Sequence, residues 1–230
     1  MTSMIIGITG LISSGKDTAA DYLITHHQFK KESFANSLKD AVANVFGWDR
    51  IMLEGRTKEA REWREQVDPW WAERLNMPNL TPRWILQYWG TEVCRKGFND
   101  DIWIASLENK LRTSKDDVVI SDCRFGNEVK AIKDAGGYTI RIHRGILPEW
   151  YQAAIDHNKG PKHVGWSLGK NKLDQLKIHA SEYSSVGLDY DYEIYNDSSI
   201  DELHNQLGKI IMEITSQLED HPDAKLLLSS

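Results

Sequence analysis

The chain has 230 residues, of which 40% are hydrophobic and 27% are charged, and its formal net charge is -6. These values fit one α/β domain with insertions, and the acidic balance argues against a general nucleic-acid-binding or membrane-binding surface. No apolar run is long enough to span a bilayer, and Cys94 and Cys123 form neither a disulfide framework nor a metal-like spacing, so we expect a cytoplasmic protein.

The first element in chain order is a short apolar run that ends in a phosphate-binding loop. The run covers residues 4–9, and the loop reads G-L-I-S-S-G-K-D-T over residues 10–18. A buried strand before such a loop and a helix after it direct backbone N–H groups and a helix N-terminus at one anion. Lys16 adds a positive charge for the outer phosphates of a nucleotide. Asp17 stands where a Ser or Thr usually reaches Mg²⁺, and the hydroxyl follows at Thr18.

Five short apolar or β-branched runs predict strands, and helical patterns fill the gaps between them. This alternation predicts a doubly wound, five-stranded parallel sheet of the α/β class, with ligands at the carboxyl ends of the strands. The predicted strands cover residues 4–9, 29–34, 118–121, 138–142 and 192–195. The predicted helices cover residues 15–26, 35–46, 82–96, 103–111, 125–135 and 199–218.

Two insertions interrupt this predicted core at the ligand edge of the sheet. The first, at about 48–99, is aromatic and Arg-rich, and we predict an acceptor-binding region there. The second, at about 145–178, has five lysines against three acids, which suits a lid over phosphates but equally an ordinary basic surface loop. The single domain then comprises a core of residues 1–47, 100–144 and 179–219 with the two insertions, followed by a tail at 220–230.

Polar residues after the third and fourth predicted strands are candidates for phosphoryl transfer, which needs cations, Mg²⁺ and a carboxylate around the transferred group. Asp122 follows the third strand, and we interpret it as a metal carboxylate that acts with Thr18, through water; a helix-capping role is the alternative. Arg124 offers a planar fork for a phosphate, with a surface ion pair as the alternative. Arg144 opens the second insertion and is the candidate lid cation, whereas we interpret Arg141 as structural.

The acceptor site is predicted from residue types and from helical spacing. Arg83 and Gln87 lie four residues apart on one predicted helix and therefore share a face. Glutamine can pair with a base edge, arginine can hold a phosphate, and tryptophan can stack on a base, which makes Trp103 a third candidate. Spacing alone favours a core position for Trp103. Arg61 and Arg64 share a charged helix face that is typical of a solvated surface.

Three functions remain open on these residues. The first is phosphorylation of a nucleoside monophosphate, the second is phosphorylation of another small phosphate or hydroxyl acceptor, and the third is an ATPase or switch module. A phosphate acceptor needs no general base, because its second pKa near 6 leaves it largely dianionic at pH 7. The aromatic, Gln-containing region favours a base as part of the acceptor, and switches usually carry Ser or Thr directly after the P-loop lysine.

Seven stretches in the same order resemble the bacteriophage deoxynucleoside monophosphate kinases, within the nucleoside-monophosphate-kinase group of P-loop proteins. They cover nearly the whole chain. The stretches are G-x-x-x-x-G-K-D-T at 10–18, F-A-x-x-L-K-D-A at 34–41, R-W-I-L-Q-Y-W-G-T-E at 83–92, F-N-D-D-I-W at 98–103, V-I-S-D-C-R-F-G-N-E at 119–128, H-A-S-E at 179–182 and Y-N-D-S-S-I-D-E-L at 195–203.

The resemblance implies a P-loop NTPase-type fold and transfer of the γ-phosphoryl group of ATP to a deoxynucleoside monophosphate (dNMP), with Mg²⁺. It implies that Thr18 meets the phosphates and that Asp122 and Arg124 belong to the catalytic centre, with Lys16 and Arg144 as further catalytic candidates. It also implies that Arg83, Gln87 and Trp103, together with Arg124, line the dNMP site. The residues expected to hold ATP are Gly10, Ser13, Ser14, Gly15, Lys16, Asp17, Thr18, Asn196 and Asp197, the last two beside the adenine.

Several properties stay open after this comparison of motifs. His179, Ser181 and Glu182 match a family segment after the second insertion, and no role follows for them. The accepted bases, the choice between ribose and deoxyribose, and a homodimeric state are also open. A phage-encoded enzyme of this kind would act in the host cytoplasm.

Overall fold

The computed structural model describes residues 3–220 and contains one parallel sheet within that range. The strand order is β2-β3-β1-β4-β5, and each neighbouring pair is parallel. The five predicted strands are confirmed, with shifts of a residue or two at their ends. The strands are β1 (Ile5–Gly10), β2 (Lys30–Glu32), β3 (Val118–Ile120), β4 (Tyr138–His143) and β5 (Tyr192–Tyr195). The predicted tail at 220–230 lies, beyond its first residue, outside the described residues.

The described residues form two compact units. The sheet unit contains the described residues up to Ser33 and from Thr113 onward, and the helical unit is Phe34–Arg112. The α-helices of the sheet unit are α1 (Lys16–His27), α8 (Gly126–Asp134), α9 (Tyr151–Asn158), α10 (Trp166–Gln175), α11 (Ala180–Tyr183) and α12 (Ile200–Asp220). Those of the helical unit are α2 (Asn36–Phe46), α3 (Arg50–Glu54), α4 (Lys58–Glu65), α5 (Pro69–Arg74), α6 (Pro82–Gln87) and α7 (Ile102–Leu111).

Helices cover both faces of the sheet. The contacts of β1 show this, since successive residues of a strand point to opposite sides. Ile6 and Ile8 belong to a buried cluster that includes Leu23 of α1 and Leu207 of α12. Gly7 faces the other side, where an added Cβ would lie 2.3 Å from Ile132 Cδ1 of α8. The doubly wound arrangement is therefore confirmed.

Helix α12 is attached to the sheet by an apolar stripe. Leu203, Leu207, Ile211 and Ile214 are buried, and full burial of each such side chain contributes about 1.5–3 kcal/mol. Ile200, predicted on the same face, is exposed because it is the first residue of the helix. The stripe fixes α12 beside α1 and so supports the helix that follows the P-loop.

The helical unit is built around aromatic rings. Phe46 and Trp48 stack with their ring centroids 4.5 Å apart, and Trp71 meets Phe46 edge to face at 4.8 Å. The indole nitrogens are satisfied: Trp48 Nε1 donates to Asp68 Oδ2 at 2.8 Å, and Trp71 Nε1 donates to the Phe46 carbonyl at 3.0 Å. The tryptophan-rich segment is thus a core that needs both stacking and hydrogen bonding.

The predicted helix at 82–96 changes type part-way along. Its start is confirmed, since the Thr81 hydroxyl accepts from the Trp84 N–H at 3.1 Å with Pro82 in the first turn. From Tyr88 to Lys96 the chain continues as a π-helix, whose wider turn a 3.6-residue pattern does not reveal. The Gly90 carbonyl in this segment accepts a hydrogen bond from Trp103 Nε1 at 3.0 Å.

The second insertion contains two helices, α9 and α10, that the sequence did not indicate. Ala153 and Ala154 of α9 and Leu173 of α10 form an apolar cluster with Val186. Four of its five lysines are exposed, and the fifth, Lys170, is half-buried and pairs with Asp174 at 2.7 Å. Within residues 3–220, no helix combines the length and apolar character needed to cross a bilayer.

Candidate active site

The P-loop turns where β1 ends and α1 begins, and two glycines permit its close packing. Gly15 has φ 103, and an added Cβ would lie 2.5 Å from Asn196 Nδ2. A Cβ on Gly10 would lie 2.3 Å from Ser14 Oγ and 2.6 Å from the Ile142 carbonyl oxygen. A side chain at either position would therefore displace the loop.

Asn196 supports this loop from the end of β5. It is buried, and its Nδ2 donates to the Ser14 carbonyl at 2.9 Å. Asp197 Oδ1 accepts from the Gly145 N–H at 2.6 Å and so fixes the start of the second insertion. Contact of Asn196 and Asp197 with adenine stays a prediction; their observed contacts position the surrounding loops.

Lys16 lies over the loop, where its Nζ donates to the carbonyls of Gly10 at 2.9 Å and Leu11 at 2.8 Å. Its pKa is lowered from 10.5 to about 8, chiefly because burial disfavours the charged amine and also because Arg124 lies near. Asp17 opposes this shift in the pKa, and Arg141 adds to it. At pH 7 the amine remains mostly protonated and can bind an anion.

Two cavities share Lys16 as a wall residue. The Arg144 cavity measures about 280 Å³, and the Arg124 cavity measures about 230 Å³. The Arg144 cavity is lined by Ser13, Gly15, Lys16, Asp17, Thr18 and Arg144. The Arg124 cavity is lined by Gly10, Leu11, Ile12, Lys16, Cys123, Arg124, Pro148, Trp150, Ser181, Glu182 and Ser185.

The Asp17 carboxylate is engaged by residues of the neighbouring strands. Its Oδ1 lies 3.0 Å from Lys31 Nζ of β2 and 3.4 Å from Ser121 Oγ. Burial would raise the pKa of Asp17, but the hydrogen bond and charge of Lys31 outweigh it, so this pKa is lowered. Thr18, the next residue, lines the Arg144 cavity.

Asp122 has one engaged and one unengaged carboxylate oxygen. Ser33 Oγ donates to Asp122 Oδ2. Asp122 Oδ1 is buried and has no hydrogen-bond partner among residues 3–220. Such an oxygen is costly unless it is partnered, which fits a site for a water of a hydrated cation. Within the same range, no group of three or more His, Cys, Asp or Glu side chains could hold a metal on its own.

Glu128 fixes the segment that carries Arg124. Its Oε2 accepts from the backbone N–H of Arg124 at 2.8 Å and of Phe125 at 3.1 Å, and its side chain is buried. Sequence reasoning missed this residue, although an acid in the first turn of a predicted helix is a recognisable signal. Arg124 itself is exposed and lines its cavity.

The two arginines of the fourth strand and its exit differ in burial. Arg144 is exposed, and its Nη1 donates to the Ser13 carbonyl at 3.4 Å. Arg141 is buried and donates to Ser185 and Thr9. The structure therefore brings Arg144 to the P-loop, together with Lys16.

The three acceptor candidates lie in the helical unit. Arg83 and Gln87 are both exposed residues of α6, as predicted, and Arg83 Nη1 pairs with Glu65 Oε1 at 2.8 Å. Trp103, in α7, is half-buried and packs against the aromatic cluster of this unit.

The guanidinium groups of Arg61 and Arg64 are engaged by backbone carbonyls. Arg61 Nη1 donates to the Arg56 carbonyl at 2.9 Å, and Arg64 Nη1 donates to the Leu53 carbonyl at 3.4 Å. Burial and the nearby Arg83 lower the pKa of Arg64. Both side chains therefore support the segment after α3.

Comparison with known proteins identifies the family. No protein-family model matches the chain. A protein of Acanthamoeba polyphaga mimivirus, provisionally named deoxynucleotide monophosphate kinase, is 35% identical over 155 residues, which cover 61% of this chain and 74% of that protein. The chain belongs to the deoxynucleotide monophosphate kinase family. The deoxynucleoside-5'-monophosphate kinase of Escherichia phage T5 is 25% identical over 181 residues, covering 57% of this chain and 72% of its own.

Solved structures similar to this family member include two small-molecule kinases. Shikimate kinase from Aquifex aeolicus vf5 has 15% sequence identity and a TM-score of 0.46, over 93% of this chain and 98% of its own. Dephospho-CoA kinase from Campylobacter jejuni has 17% identity and a TM-score of 0.41, over 92% and 97% respectively.

Proposed function

We propose that the chain transfers the γ-phosphoryl group of ATP to a dNMP and releases ADP and the deoxynucleoside diphosphate. Lys16 carries the proposal, because this half-buried lysine of the P-loop lines two cavities, one of them also lined by Arg124 and the other by Arg144. One cation that lines two cavities suits a reaction in which one phosphoryl group passes from donor to acceptor. Membership of the deoxynucleotide monophosphate kinase family supports the same reaction.

The donor phosphates are assigned to the Arg144 cavity. Its wall combines the backbone of the loop at Ser13 and Gly15 with Lys16, Thr18 and the start of α1, and a helix N-terminus with free N–H groups binds anions. Arg144 adds a guanidinium that can pair with the phosphates. The hydrogen bond from Asn196 to the Ser14 carbonyl stabilises the P-loop. The adenine of ATP is assigned to the segment that contains Asn196 and Asp197.

The acceptor is assigned to Arg124 and to the helical unit. Arg124 lines a cavity with Lys16, which suits a phosphate whose oxygen must be held in line to attack the γ-phosphorus of ATP. Arg83 and Gln87 supply a cation and an amide from one helix, and Trp103 supplies a ring for a base. We propose that breaking the Arg83–Glu65 ion pair accompanies binding, because both side chains are exposed and such a pair is weak.

A Mg²⁺ ion fits the residues at the end of β3. We propose that Asp122 holds it through water, with Thr18 contributing its hydroxyl, because Asp122 Oδ1 is buried without a partner among residues 3–220. When bound, the ion neutralises charge on the phosphates of ATP. Asp17 is less suited to this role, since Lys31 and Ser121 already engage its carboxylate.

The decisive experiment measures ADP release from ATP with a panel of deoxynucleoside and ribonucleoside monophosphates. We expect turnover that depends on at least one dNMP. Turnover of ATP that ignores every monophosphate would indicate an ATPase or switch, and turnover with a sugar acid or coenzyme precursor alone would indicate another small acceptor.

Lys16→Ala is expected to lower kcat by at least 100-fold, because the phosphates lose their P-loop cation. Lys30→Ala is the matched control, since Lys30 is an exposed lysine of β2 that pairs with Asp116 at 2.7 Å. The control should retain wild-type kcat. Equal activity of the two variants would remove the P-loop from the mechanism.

A further inference from the structure

Glu182 is the single acid among the described residues that line the Arg124 cavity, and it shares that wall with two cations, Lys16 and Arg124. Its carboxylate takes part in no ion pair and no hydrogen bond with another residue between positions 3 and 220. A phosphate held by the two cations would be repelled by a carboxylate that contacted it directly. The acid therefore suits an uncharged part of the same ligand.

The backbone that carries Glu182 is anchored on both sides of this residue. Before it, His179 Nδ1 accepts from the Ser181 N–H at 3.2 Å and lies 2.8 Å from Ser181 Oγ. After it, Asn158 Nδ2 of α9 donates to the Tyr183 carbonyl at 2.7 Å. Glu182 is thus an exposed side chain on a backbone held by hydrogen bonds, which reduces the entropy lost when the side chain binds a ligand. His179 and Ser181 acquire a positioning role in this way.

The remainder of the cavity wall includes an apolar part, formed by Leu11 of the P-loop and by Pro148 and Trp150 of the second insertion. A pentose has C–H groups that can pack against such side chains and hydroxyl groups that need polar partners. The cavity measures about 230 Å³, less than the roughly 300–1,000 Å³ of pockets that enclose a whole small-molecule ligand. It therefore fits a phosphate and the sugar attached to it better than a whole nucleotide.

We propose that Glu182 accepts a hydrogen bond from the 3′-hydroxyl group of the acceptor's deoxyribose, while Lys16 and Arg124 hold the acceptor's phosphate. That hydroxyl is the single free hydroxyl of the sugar in a dNMP, because the 5′ oxygen carries the phosphate and the 2′ position carries none. A charged acceptor makes the hydrogen bond stronger than a neutral one. The assignment rests on the proposed function, since the sugar is that of the proposed acceptor.

The experiment measures calorimetric binding, without ATP, of a dNMP and of the 2′,3′-dideoxynucleoside monophosphate with the same base. The base is that of the dNMP which binds most tightly to the wild-type chain. We expect wild type to bind the dideoxy ligand at least about tenfold more weakly than the dNMP, because its sugar has no hydroxyl to donate. Glu182→Ala should weaken binding of the dNMP by at least about tenfold and that of the dideoxy ligand by less than about twofold.

Two further variants sharpen the comparison. Glu182→Gln keeps an oxygen that accepts a hydrogen bond but lacks the charge, so its loss of dNMP affinity should be smaller than that of the alanine variant. Glu149→Ala is the matched control, because Glu149 is an exposed acid beside Trp150 and is not among the described residues that line the cavity. Lys172 contacts the backbone carbonyl of Glu149, which this substitution retains. The control should bind both ligands as wild type does.

Three results with Glu182→Ala would overturn the proposal. Equal weakening of both ligands would indicate a contact with the base or an effect on the shape of the cavity. Tighter binding of both would indicate that the acid only repels the phosphate, and unchanged affinity for both would indicate no contact.

The proposed function can fail separately from this proposal. Binding of the two ligands in the expected pattern without any phosphoryl transfer from ATP would contradict the proposed function alone. Phosphorylation of the dNMP with equal effects of Glu182→Ala on both ligands would contradict the sugar contact alone. A wild-type chain that binds no dNMP would contradict both.

Discussion

Lys30 and Lys31 of β2 are adjacent, yet only Lys31 contacts a residue of the P-loop. Neighbouring residues of a strand point to opposite faces, so Lys30 meets Asp116 at the surface while Lys31 meets Asp17 beside the P-loop. The Lys30 side chain is 67% exposed and that of Lys31 is 24% exposed. The two lysines therefore differ in their ion-pair partner and in their exposure, and the sequence alone does not indicate either difference.

Lys31→Met is expected to raise the pKa of Asp17, because the carboxylate would lose the hydrogen bond and the charge of the lysine. The folded-state pKa of Asp17 now lies below its usual value, so the carboxylate stays ionised as the pH falls. In the variant, the acid limb of kcat against pH should move to higher pH. The measurement is the pH–rate profile between pH 4 and pH 7.

The control for that profile is Lys30→Met, whose acid limb should coincide with that of wild type. A limb that shifts equally in both variants would reflect net charge and not the Lys31–Asp17 contact. A limb that moves in neither variant would show that ionisation of Asp17 does not limit the reaction.

At the scale of elements, an ionic network fixes α2 against α3 in the helical unit. Glu54 Oε2 lies 2.8 Å from Lys39 Nζ, and Glu54 also pairs with Arg50, which in turn pairs with Asp40 at 2.6 Å. Burial would raise the pKa of Glu54, but the two cations lower it from 4.5 to about 2. The glutamate side chain is 23% exposed, so solvent screens these contacts only in part.

Glu54→Gln is expected to destabilise the protein by about 1–3 kcal/mol at pH 7, because Lys39 and Arg50 lose their shared acid. The folded-state pKa of Glu54 is depressed, so this stabilisation is complete above pH 4.5 and is lost as the pH falls toward 2. Urea unfolding of wild type and variant should therefore differ at pH 7 and converge near pH 2–3. Glu62→Gln, which removes an exposed pair with Lys58 at 3.6 Å, should have little effect at either pH.

Elements differ in how far their sequence indicates them. The strands and the long helices were predictable because each repeats an apolar pattern with one period, as along α12. Helices α9 and α10 escaped prediction because their buried faces consist of small or widely spaced apolar residues such as Ala153 and Leu173. The π-helix escaped it because the segment continues the helix that begins at Pro82, and the sequence carries no signal for the change from i→i+4 to i→i+5 bonding.

For the whole molecule, the proposed function assigns ATP and one acceptor contact, Arg124, to residues of the sheet unit and the other acceptor contacts to residues of the helical unit. The sheet unit holds the P-loop residues proposed for ATP, and the helical unit holds Arg83, Gln87 and Trp103, proposed for the base and phosphate of the acceptor. Such a division predicts that variants of the helical unit act on one substrate more than on the other.

Trp103→Ala is expected to raise KM for the dNMP by about tenfold or more and KM for ATP by less than threefold, because base–aromatic stacking is worth about 1–3 kcal/mol. Steady-state kinetics with each substrate varied in turn would measure this. Trp103→Phe keeps a ring for stacking and loses only the hydrogen bond from Nε1 to the Gly90 carbonyl. The KM values of Trp103→Phe should therefore resemble those of wild type. Equal increases of both KM values in Trp103→Ala would instead indicate that Trp103 is a core residue without a role in dNMP binding.

The sequence by itself determined the five strands, the long helices between them and the P-loop with Lys16, because these follow from local periodicity and from contiguous residues. The tertiary structure alone decided which distant residues meet. Asn196 reaches Ser14 from 182 residues away, and Ser33 reaches Asp122 from 89 residues away. Arg141 differs from Arg144 only through its neighbours across the sheet. Burial and charge pairing depend on such long-range contacts, and no local pattern records them.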